Sequence, residues 1–191
     1  MTKLILHGGF TRVKNDLNTN FWTEVGRSAM ENGTILLCYF ASGEEDIATR
    51  YEGHKNQILE QAGGKKLNFL RATEENFIAQ IKNADVLYMN GGTNHRLRET
   101  LEKYPDFLEV IKGKTVVGSS AGANVLSTYY FSNSRDGIFE GLGVLPIRLV
   151  CHYGSDKFPI KNDPLGLMKK YPENLELVVL KDFEWKVFTL D

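Results

Sequence analysis

Apolar, strand-like runs alternate with helical patterns along most of this chain, and this alternation is the feature that most restricts its fold. Strands separated by helices of this length are typical of βαβ crossovers, which build a mainly parallel sheet. The strand candidates are residues 3–7, 34–41, 66–71, 85–90 and 115–118, with helical patterns near 17–32, 48–62, 74–82 and 95–111. After residue 126, further strand candidates cover 129–132, 144–153, 175–180 and 185–190, with one helical pattern at 164–171. The sequence therefore predicts an α/β, three-layer, doubly wound fold, with residues 1–191 as a single domain.

The composition is that of an ordinary globular protein, with 42% hydrophobic and 25% charged residues. The formal net charge of -1 gives no electrostatic reason to expect nucleic acid or a membrane as a partner. The apolar start of the chain is too short for a signal peptide, and no stretch approaches the ~20 apolar residues of a membrane span. We expect a cytoplasmic protein, either a monomer or a homodimer.

The two cysteines are not spaced as metal ligands or as a redox pair. Cys38 lies in an apolar run typical of a core position. Cys151 directly precedes His152, and adjacent side chains of a strand point to opposite faces, so this pair is not expected to act as a Cys–His couple. We expect neither a metal nor a cofactor.

The segment from Thr115 to Asn124 joins a β-branched run to a helix-compatible run through glycine, serine and other small residues. Its centre matches G-x-S-x-G around Ser120, the pattern of a strained strand-to-helix turn that raises one hydroxyl out of a sheet. Free N–H groups at the start of a helix favour developing negative charge, which suits a serine nucleophile. The alternative is a glycine-rich turn without chemistry, because short motifs recur by chance.

Three glycine-containing loops follow strand candidates, at residues 7–9, 90–94 and 118–122. Ligands of doubly wound sheets bind beyond the carboxyl ends of the strands, so these loops are expected to meet at one site. Gly91 and Gly92, which precede a helical pattern, are candidates to donate N–H groups to an oxyanion. The alternative is that these loops are ordinary turns.

A serine nucleophile needs a base, and the chain has four histidines. His54 and His95 lie in helical patterns among charged neighbours and are expected at the surface. His7 ends the first strand candidate, where it is placed to face the site. His152 lies near the end of a later strand candidate and is the one histidine that follows Ser120 in the sequence. We therefore prefer His152 as the base.

The acid that orients the base is left open between two aspartates. Asp136 lies between Ser120 and His152 in the sequence, whereas Asp182 ends a later apolar strand candidate.

Two kinds of fold contain such a strand-to-helix turn, which is called a nucleophile elbow. General α/β-hydrolases have the chain order Ser, Asp, His, which Ser120, Asp136 and His152 follow. Those enzymes are usually longer and take their histidine from near the C-terminus. The other fold is a flavodoxin-like sheet similar to that of class I glutamine amidotransferases, with serine here in place of the usual cysteine nucleophile.

Residues 118–125, 90–94 and 151–153 together resemble the dipeptidase E (α-aspartyl dipeptidase) family of serine peptidases, of which cyanophycinases are more distant relatives. The resemblance extends over most of the chain in the order and spacing of elements. It implies a Ser–His pair on an amidotransferase-like α/β fold, with Ser120 as the nucleophile and His152 as the base.

The same resemblance suggests further roles by position. Asp136 matches the region of one proposed triad acid of the family, and Asp182 lies where some members carry a glutamate proposed for that role. Gly92 and the N–H of Ala121 match the oxyanion donors. The candidate substrate-binding residues, all in one loop, are Gly91, Thr93 and Asn94.

Two residues differ from the family pattern in ways that bear on substrate specificity rather than on the hydrolytic chemistry. Ser119 stands where aspartyl dipeptidases have an aromatic residue, and Asp182 lies in a Lys-Asp-Phe-Glu-Trp context rather than Pro-Glu-Gly. The chain also stops at Asp191 directly after a strand candidate, where relatives usually continue, so a trimmed tail is one expectation.

We expect a serine peptidase, an exopeptidase or dipeptidase that cleaves short peptides through an acyl-enzyme on Ser120. An N-terminal Asp is one expected preference. The alternatives are an esterase or amidase of non-peptide acyl groups and a catalytically silent protein that binds a small ligand on the same fold. An acidic substrate residue would require a cation, and the candidates are Arg135, Arg148, Lys157 and Lys161.

Overall fold

The computed structural model describes residues 1–43, 45, 47–172 and 174–191. Its strands are β1 (Thr2–His7), β2 (Thr34–Cys38), β3 (Asn68–Arg71), β4 (Val86–Met89), β5 (Thr115–Ser119), β6 (Ser127–Ser132), β7 (Gly137–Glu140), β8 (Leu145–Val150), β9 (Glu176–Val179) and β10 (Trp185–Leu190). Its helices are α1 (Asp16–Ser28), α2 (Ile47–Gln61), α3 (Phe77–Lys82), α4 (Asn94–Glu102), α5 (Phe107–Val110), α6 (Ala121–Leu126) and α7 (Pro164–Met168). None of the helices in the described ranges is long and apolar enough to cross a membrane.

The main sheet has six strands in the order β10-β1-β5-β4-β2-β3. Strands β1 to β5 run parallel, and only β10 is antiparallel, along the free edge of β1. The parallel strands consist largely of apolar residues because both faces of such a sheet are covered by helices. Their carboxyl ends therefore lie at one edge, where the loops predicted to form the site also lie.

Alternate residues of the strands pack against helices on opposite faces. Ile5, Tyr88 and their neighbours on one face contact Trp22 of α1 and Ile58 of α2. The other face is buried under α3 to α6 and includes Leu6 and Leu36. The predicted α/β fold, with a mainly parallel sheet between helical layers, is confirmed.

The later strands form a second sheet of four strands in the order β7-β6-β8-β9. Strand β6 begins at Ser127, directly after α6 ends. A helix of six residues is only about 9 Å long, so the chain cannot recross the main sheet and instead starts a new one. One face of the second sheet joins the core beneath α6, and the other packs on Met168 of α7.

Most predicted elements are present with shifted ends, and two regions differ. The helical pattern at 95–111 is divided into α4 and α5, because Pro105 lies between them and proline cannot continue a helix. Strand β7 was not predicted. It forms a hairpin with β6 through the four-residue turn 133–136, whose last residue, Asp136, has a φ of 49°.

Candidate active site

Ser120 occupies the turn between β5 and α6 with a φ of 51° and a ψ of -108°. Its N–H donates to the His7 carbonyl at 2.9 Å, and its carbonyl accepts from the Asn124 N–H at 2.8 Å. Glycine is required at positions 118 and 122, where an added Cβ would overlap the backbone of Gly122 and Met89 respectively. The small residues of the motif thus let α6 pack closely on the sheet and hold the serine in a strained conformation.

His152 lies between Ser120 and Asp182. Its Nε2 is 2.9 Å from Ser120 Oγ, and its Nδ1 is 2.6 Å from Asp182 Oδ1. Since a carboxylate only accepts hydrogen bonds, Nδ1 carries the proton and Nε2 is left to accept from the serine hydroxyl. The order Ser–His–Asp is that of a nucleophile, a base and an orienting acid.

Asp182 reaches His152 because β8 and β9 are parallel neighbours. Val150 of β8 is paired with Val179 of β9, so the residues that follow each strand leave the same end of the second sheet. The Tyr153 N–H also donates to the Leu180 carbonyl at 3.2 Å, which ties the two loops together. Of the two aspartates left open by the sequence, Asp182 is the one that contacts the imidazole.

Asp136 does not lie beside His152, and the expectation that it does needs correction. It sits in the β6–β7 turn with a φ of 49°, and its carboxylate accepts a hydrogen bond from the Asn162 side chain at 2.8 Å. The physical reason is local, because aspartate tolerates the left-handed backbone that the last position of this four-residue hairpin turn adopts.

The environment of His152 favours a neutral imidazole. Burial lowers the pKa of His152 below its usual 6.5, against the opposing effect of the hydrogen bond and charge of Asp182. At neutral pH the ring is therefore unprotonated at Nε2, the form that a general base needs.

The loop after β1 packs against the His152 imidazole. An added Cβ at Gly9, whose φ is 125°, would overlap the His152 ring. The fully buried His7 accepts the Gly9 N–H at Nδ1 and bonds Asn18 through Nε2, both at 2.9 Å. His7 therefore shapes the loop beneath the base and does not approach the Ser120 hydroxyl as a second base.

The 90–94 loop lies against the elbow, as predicted. An added Cβ at Gly91 would lie 3.1 Å from Ser120 Cβ, and one at Gly92, whose φ is 151°, would overlap the Ala41 carbonyl. In the described part of the chain, neither the Gly92 N–H nor the Ala121 N–H donates to a backbone carbonyl. Both N–H groups are thus available beside the serine, one in the 90–94 loop and one at the start of α6.

A cavity of about 560 Å³ opens in front of Ser120 and His152. Two of the three substrate-binding candidates, Gly91 and Asn94, line it together with Gly92, whereas Thr93 does not. The Thr93 N–H instead donates to the Ala41 carbonyl at 2.8 Å, and the residue precedes α4.

One of the four cations proposed from the sequence lines this cavity, namely Lys157. Arg148 is buried and donates to the carbonyls of Met168 and Leu175, so its role is structural. Arg135 lies over the ring of Phe139 at 4.3 Å, and Lys161 is exposed outside the cavity wall.

Sequence reasoning missed two groups of cavity residues. Arg12 and Arg50 both line the cavity. So do two phenylalanines beside the base, Phe10 and Phe158. The position of Arg12 soon after the His7-Gly8-Gly9 loop was a usable signal for its placement, because that loop follows a parallel strand.

His54 is buried, and the expectation that it lies at the surface was wrong. It is 1% exposed, with Nδ1 2.9 Å from the Tyr39 hydroxyl and Nε2 3.4 Å from Thr11 Oγ1. Burial lowers the pKa of His54 to about 3, so the ring is neutral. Helical periodicity places it on the inner face of α2 even though its sequence neighbours are charged. His95, by contrast, is exposed as predicted.

Comparison with known proteins identifies the family. A family model described as peptidase family S51 matches residues 14–188. No curated protein sequence matches this chain significantly.

Two solved structures share the fold. One is a peptidase from an acI-B1 actinobacterium, with a TM-score of 0.70 and 24% identity, covering 98% of this chain and 83% of that chain. The other is a putative peptidase E protein from Listeria monocytogenes EGD-e, with a TM-score of 0.68 and 18% identity, covering 100% of both chains.

Proposed function

This chain belongs to peptidase family S51, and on that premise we propose that it is a serine exopeptidase that cleaves short peptides, dipeptides above all. The proposal rests on two consecutive hydrogen bonds, from Ser120 Oγ to His152 at 2.9 Å and from His152 to Asp182 at 2.6 Å. Ser120 lies at a strained nucleophile elbow and faces a cavity, as a nucleophile requires.

In the proposed reaction, Ser120 Oγ attacks the scissile carbonyl carbon while His152 Nε2 takes its proton. Asp182 holds Nδ1–H and stabilises the imidazolium that forms. The C–N bond then breaks as His152 gives the proton to the leaving nitrogen. A water molecule, deprotonated by His152, attacks the acyl-enzyme and releases the acid product, so Ser120 regains its proton.

The negative oxygen of the tetrahedral intermediate is assigned to the N–H groups of Ala121 and Gly92. Such a donor contributes about 3–4 kcal/mol to the transition state in a comparable serine peptidase. The close approach of Gly91 to Ser120 supports this assignment, because it brings the 90–94 loop next to the attacking oxygen.

The cavity supports a small substrate with an anionic group. A volume of about 560 Å³ is in the range of sites that enclose a drug-sized ligand, which suits a short peptide. Arg12, Arg50 and Lys157 add positive charge to its wall. A dipeptide with an N-terminal aspartate carries two carboxylates, one on its side chain and one at its C-terminus, and is one substrate that fits this charge.

The first prediction concerns the nucleophile and the base. A fluorophosphonate probe is expected to label the wild-type protein at Ser120, and Ser120→Ala is expected to abolish labelling. On a dipeptide panel, Ser120→Ala and His152→Ala should each lower kcat by at least 10³-fold, because nucleophile and base act as a unit. Mass spectrometry of the labelled peptide and product chromatography measure these outcomes.

Undiminished hydrolysis by either variant would refute the proposed roles. Absence of labelling in a folded wild-type protein would favour a silent ligand-binding protein. Cleavage of simple esters with no cleavage of any dipeptide would assign the site to non-peptide acyl groups.

A further inference from the structure

We propose that Phe10, Lys157 and Phe158 form the subsite for the leaving residue of the substrate. Phe10 and Phe158 receive an apolar or aromatic side chain, and the Lys157 ammonium binds the free carboxylate of the same residue. This inference rests on the proposed peptidase function and names the class of peptide that the site takes.

The chemistry of the base determines which side of the cavity holds the leaving residue. His152 must deliver a proton to the leaving nitrogen, so that nitrogen lies next to Nε2 and its residue lies along the wall around the imidazole. Two side chains form this wall. The Phe158 ring is 4.6 Å from the His152 ring and the Phe10 ring is 5.2 Å away, between centroids. The acyl half of the substrate lies on the opposite side, at the 90–94 loop.

The two phenylalanines form one apolar surface. Their rings stack at 5.6 Å, and Phe158 remains 41% exposed although it lines the cavity. Covering a large, solvent-exposed ring with an apolar group is favourable, because apolar surface is removed from water. An aromatic or branched leaving residue would supply that cover.

Lys157 places a positive charge at the end of this surface. Its Nζ lies 5.1 Å from the Phe10 ring centroid, and the side chain lines the cavity. Among the described residues, no carboxylate lies within ion-pairing distance of this ammonium. Its charge is therefore available for an anion of the substrate.

The distances leave room for one amino acid between His152 and Lys157. The contacts of Phe10 with both groups place the Lys157 ammonium within about 10 Å of the His152 ring. A nitrogen hydrogen-bonded to Nε2, followed by Cα, the carboxylate and a second hydrogen bond, spans roughly 8–9 Å. The carboxylate of the residue directly after the scissile bond thus reaches Lys157. The site is expected to prefer dipeptides, or peptides that lose one C-terminal residue, over peptides with a blocked C-terminus.

The test compares a dipeptide with its C-terminal amide. For the best dipeptide with a C-terminal phenylalanine, Lys157→Gln is expected to raise KM about tenfold with kcat nearly unchanged, and to leave KM for the amide unaltered. Lys161→Gln is the matched control, since it removes an exposed lysine of the same segment that does not line the cavity. Equal effects of Lys157→Gln on acid and amide, or no effect on either, would overturn the assignment.

The aromatic surface is tested with the leaving residue. Wild-type protein should prefer phenylalanine over alanine at this position in kcat/KM, and Phe158→Ala should reduce the preference at least fivefold. The preference ratio separates a specificity role from a general loss of folding, because misfolding lowers both substrates equally. An unchanged ratio in Phe158→Ala would contradict the subsite.

Binding to a catalytically silent variant separates this inference from the proposed function. Titration calorimetry of Ser120→Ala with the dipeptide acid and its amide should show about tenfold tighter binding of the acid, lost in Ser120→Ala/Lys157→Gln. If the wild type cleaves no peptide while this difference persists, the peptidase proposal fails and the subsite stands. If peptides are cleaved but acid and amide bind equally, the subsite fails alone.

Discussion

Ser120 and His152 both have positive φ angles, 51° and 55°, although neither is a glycine. Such conformations cost non-glycine residues about 1–3 kcal/mol each and persist only where the surrounding structure enforces them. Ser120 directly follows β5 and His152 lies two residues after the end of β8, and their side chains meet at 2.9 Å. The two residues whose atoms would exchange a proton are thus both among the non-glycine residues with a positive φ.

The choice between the two aspartates yields a prediction at this scale. Asp182→Asn is expected to lower kcat by as much as about 10⁴-fold, because an amide neither holds the Nδ1–H tautomer nor stabilises the imidazolium. Asp136→Asn is the matched control and should change kcat less than twofold, since asparagine tolerates the same turn. Steady-state kinetics with one dipeptide measures both. A comparable loss in Asp136→Asn would contradict the geometry.

The pH profile gives the same variant a second readout. Burial lowers the pKa of His152, so the acid limb of kcat/KM in the wild type should lie below pH 6.5. Asp182 raises this pKa by its charge and hydrogen bond, so its removal makes the base stay neutral to lower pH. The acid limb of Asp182→Asn should therefore move down in pH. A limb that moves up would rule out Asp182 as the partner of the base.

At the scale of elements, the site is built by loops at the carboxyl ends of strands from both sheets. Strand β5 presents Ser120, and the loop after β4 brings Gly91 and Gly92 beside it. The second sheet supplies His152 after β8 and Asp182 after β9. The sequence marked the loops after β4, β5 and β9 as following strand candidates, whereas the candidate at 144–153 extended past His152.

The contact between the loop after β1 and the imidazole can be tested with alanine. Gly9→Ala is expected to lower kcat/KM by at least about 10²-fold, because the new Cβ displaces the His152 ring from Ser120 Oγ. Gly64→Ala is the matched control. Gly64 also has a positive φ, 84°, but has open space around it, so its substitution should cost stability and leave kcat/KM unchanged.

Thermal unfolding beside the kinetics separates the two effects. Both variants are expected to lose stability from backbone strain, and only Gly9→Ala to lose activity. Full activity in a folded Gly9→Ala protein would show that the ring does not rest on this loop.

At the scale of the whole molecule, two buried histidines couple folding to pH. His7 and His54 are 0% and 1% exposed, and burial lowers their pKa values from 6.5 to about 4 and about 3. Between pH 6.5 and 4 the unfolded chain binds protons at these rings that the folded protein excludes. Stability should therefore fall as pH drops through this window, by about 1.4 kcal/mol per pH unit for each ring, and be fully present above pH 6.5.

Denaturant unfolding between pH 7 and pH 5 tests this coupling. His54→Gln is expected to lower stability at pH 7, through the lost contacts with Tyr39 and Thr11, and to make the dependence on pH shallower. His95→Gln removes an exposed histidine of α4 and should leave that dependence as in the wild type. An identical slope in wild type and His54→Gln would show that His54 does not exclude the proton.

The order of secondary structure elements in the main sheet and the position of the nucleophile elbow could be predicted from local sequence. The period of the apolar residues determined the order of strands and helices in the main sheet, and the small residues around Ser120 marked the elbow. These features depend on neighbours within one or two turns of chain, which is the range over which backbone sterics act. The pairing of Ser120 with His152 followed as well, because few histidines were available.

Only the tertiary structure decided which acid contacts the base and what lines the cavity. Asp182 meets His152 because β9 pairs with β8, and Phe10 meets Phe158 because the loop after β1, which includes Gly9, packs on His152. Such contacts arise from packing between segments far apart in the chain, for which local periodicity carries no signal. The same holds for the start of a second sheet after α6, since that helix is too short to carry the chain back along the first sheet before β6 begins.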